Sequence, residues 1–331
     1  MKLRAALIGC GGLGKVHAQM VQQVGGMQMA AFCDVDPARA EQLCREFQGD
    51  YATSDVERIF QDQSIQVVYI CTHHDTHAPF CIRAARAGKH ILVEKPLALT
   101  TEECVEIGHV VEETGAKLMT AFKMRYFDMI AKVKALIPNP LMVTMQMMDN
   151  RWPDDMWAND PIKGGGNVLS QGVHSCDIMR FVAGSDPVSV YAVGQNYYQK
   201  TGVIDNMAAV FRFANGVTGN LVQGDSHCPS LVSKFYMQVF AENKSATLSD
   251  RLTTLTYQEK GKDPVVYKGS ETGFLEENRD FIQALQENRP MPIDHRDGLL
   301  ATLMILQGFR SITTQQPQPI LSLLDATGHN L

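Results

Sequence analysis

The chain has 331 residues, of which 45% are hydrophobic and 20% charged, with 30 Lys and Arg against 36 Asp and Glu. That length predicts two domains, and the composition is that of a packed globular protein and not of a disordered one. A net charge of −6 excludes a large nucleic-acid footprint, which needs clustered surplus Lys and Arg.

No apolar run approaches the roughly 18–20 residues a membrane helix requires. The opening MKLRAALIG breaks at Gly9, too early for the apolar core of a secretory signal, so a cytoplasmic location without membrane attachment is expected. LRAALIG (3–9) reads as a strand, followed by a glycine-rich turn and a helix to about Val24. MQMAAFCDV (27–35), VVYICT (67–72), HILVE (90–94) and KLMTAF (117–122) read as further strands. Helices are predicted over 37–47, 76–87 and 101–114, the first with Pro37 suited to an opening turn. Strands alternating with helices mean βαβ units, hence an α/β domain over 1–122 with a doubly wound parallel sheet.

From 123 the texture changes. A helix at 128–136 precedes the strand-like LMVTMQMMD (141–149), a polar Trp-bearing loop (150–166) and a strong helix at 168–182. Six more strand-like runs follow between 188 and 259, joined by short Gly-containing connections, and helices at 274–287 and 296–313 close the pattern. This predicts an α+β domain over 123–331 built on a large open, mostly antiparallel sheet, in a meander order. One face of such a sheet needs a cover beyond its own helices, and a second subunit is the economical one. The eight cysteines (10, 33, 44, 71, 81, 104, 176 and 228) include no CxxC, and several sit inside apolar runs. They read as small buried hydrophobes in a reducing compartment, not as a disulfide framework or a zinc ribbon.

Gly9-Cys10-Gly11-Gly12-Leu13-Gly14 fits G-x-G-x-x-G. Alone the pattern is weak, but here it follows a strand and opens a helix, where glycines let the backbone approach a pyrophosphate at the helix N-terminus. Asp34 ends the second strand twenty positions after Gly14, placed to accept hydrogen bonds from ribose hydroxyls. Its carboxylate repels the 2′-phosphate of NADP, which favours NAD, while Arg39 keeps NADP as the alternative. Ligands bind beyond the carboxyl ends of the strands in this architecture, which points to Thr72–His77, to Glu94-Lys95-Pro96 and to the neighbourhood of Lys123 and Arg125. His73, His74 and His77 have only Asp75 at ligand spacing beside them, so no metal site is expected.

Lys95 follows a buried strand, a position that suits an amine reaching a site; a lysine snorkelling to solvent or pairing with Glu94 reads equally well. In GGGNVLSQGVHSCDIMRFVAG (164–184), Ser170, His174 and Asp177 share one helical face. His174 suits acceptance of an alcohol proton. A surface stripe or a capped core histidine is the other reading. Trp152, Asp155 and Trp157 stand in the preceding loop, where aromatic faces suit a sugar ring and a packed loop serves as well.

The motifs GCGGLGKVH, CTHHDTHAPF, AGKHILVEKPLALT and GGG…GVHSCD together resemble the Gfo/Idh/MocA family over nearly the whole chain. The resemblance implies a Rossmann domain plus an open-sheet domain and an NAD(P)-dependent oxidoreductase acting on the CH–OH groups of sugars, inositols and related polyols. It implies Lys95 and His174 as catalytic residues, and a cis peptide at Lys95–Pro96. It implies cofactor contacts from Gly9, Gly11, Gly12, Leu13, Gly14, Asp34, Thr72, His73, Glu94 and Lys95, with His77 lining the nicotinamide pocket. Substrate contacts are expected from Ser170, Asp177, Arg125 and Trp157, and dimers or tetramers through the sheet. Inositol dehydrogenase-like members carry Asp four residues before the histidine, whereas this chain has Ser170, so their Lys–Asp–His arrangement does not transfer intact. Redox-assisted glycoside cleavage and a non-catalytic dinucleotide sensor are the alternative functions within the resemblance.

Overall fold

The computed structural model describes residues 2–226, 233–271 and 273–321. Six strands, β1 (Leu3–Ile8), β2 (Met27–Cys33), β3 (Tyr51–Thr53), β4 (Val67–Ile70), β5 (His90–Val93) and β6 (Leu118–Thr120), form one sheet in the order β3-β2-β1-β4-β5-β6. Every pairing is parallel. β4 is buried throughout and β1, β2 and β5 nearly so, as continuous apolar strands covered on both faces should be. The strand order reverses between β1 and β4, and that switch point opens a crevice at the carboxyl ends.

The helices are α1 (Gly12–Val24), α2 (Pro37–Glu46), α3 (Val56–Gln61), α4 (His77–Arg86) and α5 (Thr101–Thr114). Local chemistry fixes their starts. Asp36 accepts a hydrogen bond from the Ala38 amide ahead of Pro37, and Thr100 and Glu103 form a reciprocal capping box on α5. α1 is the exception: its N-cap is Gly11, and no side chain bonds there.

The later part contains α6 (Asp128–Leu136), β7 (Met142–Met148), α7 (Gly166–Ala183), β8 (Pro187–Gln195), β9 (Asn206–Phe213) and β10 (Thr218–Gly224). They are followed by β11 (Phe235–Ala241), β12 (Lys244–Ser249), β13 (Thr254–Glu259), β14 (Val265–Lys268), α8 (Gly273–Gln286), α9 (His295–Thr314) and β15 (Gln318–Pro319). The second sheet runs β14-β13-β12-β11-β7-β10-β9-β8-β15. It is mostly antiparallel, but it is not one meander. β8–β10 and β11–β14 are two meanders with β7 inserted between them, antiparallel to β11 and parallel to β10. α7 lies against β7, β9 and β10 on the buried face, and as the connection leaving β7 it lets the chain return to a parallel neighbour.

Two compact units divide the chain: Met1–Lys123 with Gly273–Leu299, and Met124–Thr272 with Leu300–Leu331. A contiguous second domain from 123 to the end is therefore corrected, because α8 and the first turn of α9 belong with the parallel sheet. α8 packs on α1, bringing Phe274 to 5.6 Å from the His17 ring and Phe281 to 5.7 Å from that of Tyr69. Among the described residues no helix is long and apolar enough to cross a membrane.

Candidate active site

The glycine loop divides its labour. Gly9 adopts φ +95°, and a Cβ there would stand 2.4 Å from the Cys71 carbonyl oxygen; at Gly14 it would stand 2.1 Å from that of Gly9. These two positions serve the turn and the closeness of strand to helix. A Cβ at Gly11 or Gly12 meets nothing within 4 Å. Those two leave an open cradle at the start of α1, whose first amides carry no side-chain cap. A groove of about 400 Å³ runs past Gly11, Gly12, Lys15, Arg39 and Gln42.

Asp34 is fixed at the end of β2. One carboxylate oxygen accepts from the Cys10 amide at 2.7 Å and the other from the Asp36 amide at 2.9 Å. Val35 beside it is 95% exposed, and the Arg39 guanidinium stands 3.4 Å from Asp36. An uncapped helix start, a cradle without Cβ atoms and an oriented carboxylate fit a dinucleotide with free ribose hydroxyls. Leu13 is exposed in the first turn of α1.

Lys95 follows β5 and does not snorkel: it is 8% exposed and Glu94 5%. The Lys95–Pro96 bond is cis, as the resemblance implies. Glu94 accepts the Lys95 amide on one oxygen at 3.2 Å, and its other oxygen lies 3.2 Å from His17 Nε2. Asn278 Nδ2 donates to His17 Nδ1 at 3.0 Å, which leaves Nε2 as the protonated nitrogen that donates to Glu94. Burial pushes the Glu94 carboxyl up, but the His17 hydrogen bond, with the charges of Lys95 and Lys123, outweighs it and holds the group below its ordinary range.

His77 is wholly buried. Its Nδ1 donates to the Pro96 carbonyl at 2.7 Å, and Nε2 lies 3.3 Å from that of Thr72. Burial pulls its pKa down. With both ring nitrogens on main-chain carbonyls, His77 braces the Pro96 turn. Thr72 accepts from the Thr76 hydroxyl at 2.6 Å, and His73 beside it is exposed. Among the described residues no three His, Cys, Asp or Glu side chains group so as to hold a metal ion.

On α7, Ser170, His174 and Asp177 are 4%, 6% and 1% exposed, so the polar face is buried and is not a surface stripe. Gly172 admits the close approach of α9, since a Cβ there would lie 2.7 Å from Ile305 Cδ1. Arg125 grips Asp177 with Nε at 3.0 and 2.9 Å from the two carboxylate oxygens and Nη2 at 2.5 Å. Its guanidinium also stands over the Phe181 ring, with Lys134 Nζ 3.7 Å from the same ring centroid. Two residues expected to meet substrate separately are thus bound to each other, as a buried carboxylate demands a cation.

The loop before α7 is packed. The Trp152 indole donates to Asp149 at 3.1 Å, Lys234 pairs with Asp149 at 2.7 Å, and Asn159 donates to the Pro153 carbonyl at 2.9 Å. Trp157 opens a short 3₁₀ turn and stays half-buried. Cys10, Cys33, Cys81, Cys104 and Cys176 are buried and Cys44 and Cys71 half-buried. Burial pushes the Cys33 thiol up to about 11, which suits an inert side chain. Cys228 lies outside the described residues. Sequence reasoning missed His17 and Asn278; the one signal was a histidine on the otherwise apolar inner face of α1.

Residues 3–122 match the model of an oxidoreductase family with an NAD-binding Rossmann fold, and residues 135–243 match the C-terminal domain of the same family. The chain belongs to the Gfo/Idh/MocA family. It is 27% identical to an inositol 2-dehydrogenase of Rhizobium meliloti, over 96% of this chain and 98% of that one. A myo-inositol 2-dehydrogenase of Thermotoga maritima is 26% identical, over 91% of this chain and 94% of the relative. The solved structure of a levoglucosan dehydrogenase with NADH and levoglucosan superposes with a TM-score of 0.88 at 22% identity, covering 97% and 100% of the two chains. That likeness shows the fold: a parallel Rossmann sheet and a second, largely antiparallel sheet.

Proposed function

We propose that this Gfo/Idh/MocA member is an NAD-dependent dehydrogenase that moves a hydride between nicotinamide and a CH–OH carbon of a sugar, an inositol or a related polyol. The observation that carries the reading is the open cradle at Gly11 and Gly12, beside the oriented Asp34 carboxylate, in the same unit as a lysine held almost wholly out of solvent after β5. The relatives named as inositol dehydrogenases support the substrate class.

Gly9 to Gly14, Asp34, Thr72, His73 and Glu94 are the residues that would hold the dinucleotide, which when bound supplies the hydride acceptor or donor. The carboxylate of Asp34 disfavours a 2′-phosphate, so NAD is preferred to NADP. Lys95 stabilises the charge that develops on the alcohol oxygen, and His174 takes its proton, returning it in the reverse direction. Ser170 offers a hydroxyl to a substrate hydroxyl but no charge to the imidazole. The Arg125–Asp177 pair keeps the His174 face in place, and Trp157 supplies an aromatic surface suited to a ring. A second copy of the chain covers the outward face of the large sheet, giving a homodimer or homotetramer.

The test is a panel of sugars, inositols and their oxidised forms with NAD or NADH, followed by NADH absorbance. Lys95→Ala is expected to lower kcat by about 10²–10⁴-fold while NADH still binds. A fully active Lys95→Ala enzyme overturns the reading.

A further inference from the structure

We infer that His17 and His77 are positioning residues that grip the Glu94-Lys95-Pro96 segment from its two sides and so fix the main chain that carries the Lys95 amine. The inference rests on the dehydrogenase reading, since it assigns these histidines a part in placing the lysine of that reaction.

His17 sits where an apolar side chain would pack. Its neighbours on the inner face of α1 are Gly14, Ala18 and Val21, and the Tyr69 and Phe274 rings each stand 5.6 Å away. A buried polar ring here costs free energy unless both nitrogens are bonded. Both are, Nδ1 to the Asn278 amide and Nε2 to the Glu94 carboxylate. Asn278 Nδ2 also donates to the Phe274 carbonyl at 2.8 Å, so the amide is oriented before it donates to His17 Nδ1. The remaining N–H of His17 then donates to one oxygen of Glu94, whose other oxygen receives the Lys95 amide.

On the other side, His77 Nδ1–H holds the Pro96 carbonyl. The amide of Lys95 and the carbonyl of Pro96 are both tied, so the two-residue stretch between them, with the Lys95 Cα inside it, has little freedom. A lysine amine on a four-carbon stem reaches a reacting oxygen reproducibly only when its anchor is fixed, and loss of about 1 Å of placement costs on the order of 10²-fold in rate.

The ring geometry supplies an isostere test. A glutamine amide nitrogen falls where His Nε2 stands, and an asparagine amide nitrogen where Nδ1 stands. His17→Leu and His77→Leu are each expected to lower kcat by about 10–100-fold, with substrate KM and NADH affinity within about threefold of the parent. In the cofactor-free protein they are expected to speed acylation of the Lys95 amine, read by peptide mass spectrometry. His17→Gln and His77→Asn should restore most of kcat and the slow labelling; His17→Asn and His77→Gln should not.

Leucine variants with parental kcat and parental labelling, measured beside an inactive Lys95→Ala, overturn the clamp and leave the dehydrogenase reading standing. A fully active Lys95→Ala overturns that reading instead. Should the leucine variants fail to fold, the amide exchange decides: equal kcat and equal labelling for His17→Gln and His17→Asn overturn the clamp.

Discussion

The Cβ that Gly14 lacks would collide with the Gly9 carbonyl at 2.1 Å, whereas the one Gly12 lacks would meet nothing within 4 Å. The two glycines therefore fail in different ways. Gly14→Ala must push the β1–α1 turn apart, so both the melting temperature and NADH affinity should fall. Gly12→Ala leaves the protein's own packing untouched, so its melting temperature should hold while NADH affinity drops by about tenfold or more, because only a ligand meets the new methyl. Thermal melts paired with NADH titrations separate them, and equal melting losses would show that Gly12 also serves the turn. These glycines and Asp34 were legible in the sequence because their chemistry lies in spacing along one βαβ unit. His17 and Asn278 stand 261 positions apart, and a hydrogen bond between them leaves no local pattern. Asp177 was legible as a member of the polar face of α7 but not as the partner of Arg125, for the same reason.

At the scale of elements, α7 depends on that pair. Asp177 is 1% exposed and Arg125 10%, so removing the cation strands a carboxylate in the interior. Arg125→Met is expected to cost about 3–5 kcal/mol in urea unfolding, and an Arg125→Met/Asp177→Leu double variant to cost much less than the two single changes summed. Strict additivity would mean that the two groups do not stabilise each other. The helices with full 3.6-residue periodicity were legible to within a residue or two: 101–114 and 128–136 match α5 and α6. β3, β14 and β15, at three, four and two residues, carry too little alternation to be recognised, and α3 at six residues is scarcely longer. The insertion of β7 beside β10 was illegible on other grounds. Period two states which face of a strand is buried and says nothing of its neighbour or direction.

At the scale of the whole molecule, a buried and a half-buried histidine set an acid limit. Burial lowers the pKa of His77 and of His90, and the Lys117 charge lowers that of His90 further, with His90 Nδ1 accepting the Lys117 amide at 3.1 Å. For a folded pKa below the ordinary 6.5, the neutral ring's stabilisation is complete above that value and is lost as pH falls toward the folded pKa. Melting temperature should therefore drop between about pH 7.5 and 5.5, and His77→Asn should flatten part of the drop. The outward face of the large sheet sets the last expectation. Tyr191, Val193, Val210 and Val222 are 44%, 56%, 50% and 41% exposed. Register makes them one patch: Tyr191 stands opposite Val210, and Val193 and Val222 flank Ala208 on its two sides. Alternation revealed that one face of these strands is buried, but their other face is also apolar, a pattern that water does not favour and a second copy would. Val193→Glu/Val222→Glu places like charges on both sides of Ala208, which a paired interface cannot desolvate. The parent is expected to sediment as a dimer or tetramer and the double variant as a monomer that still binds NADH. A parent that sediments as a monomer at micromolar concentration would leave this face without its proposed cover.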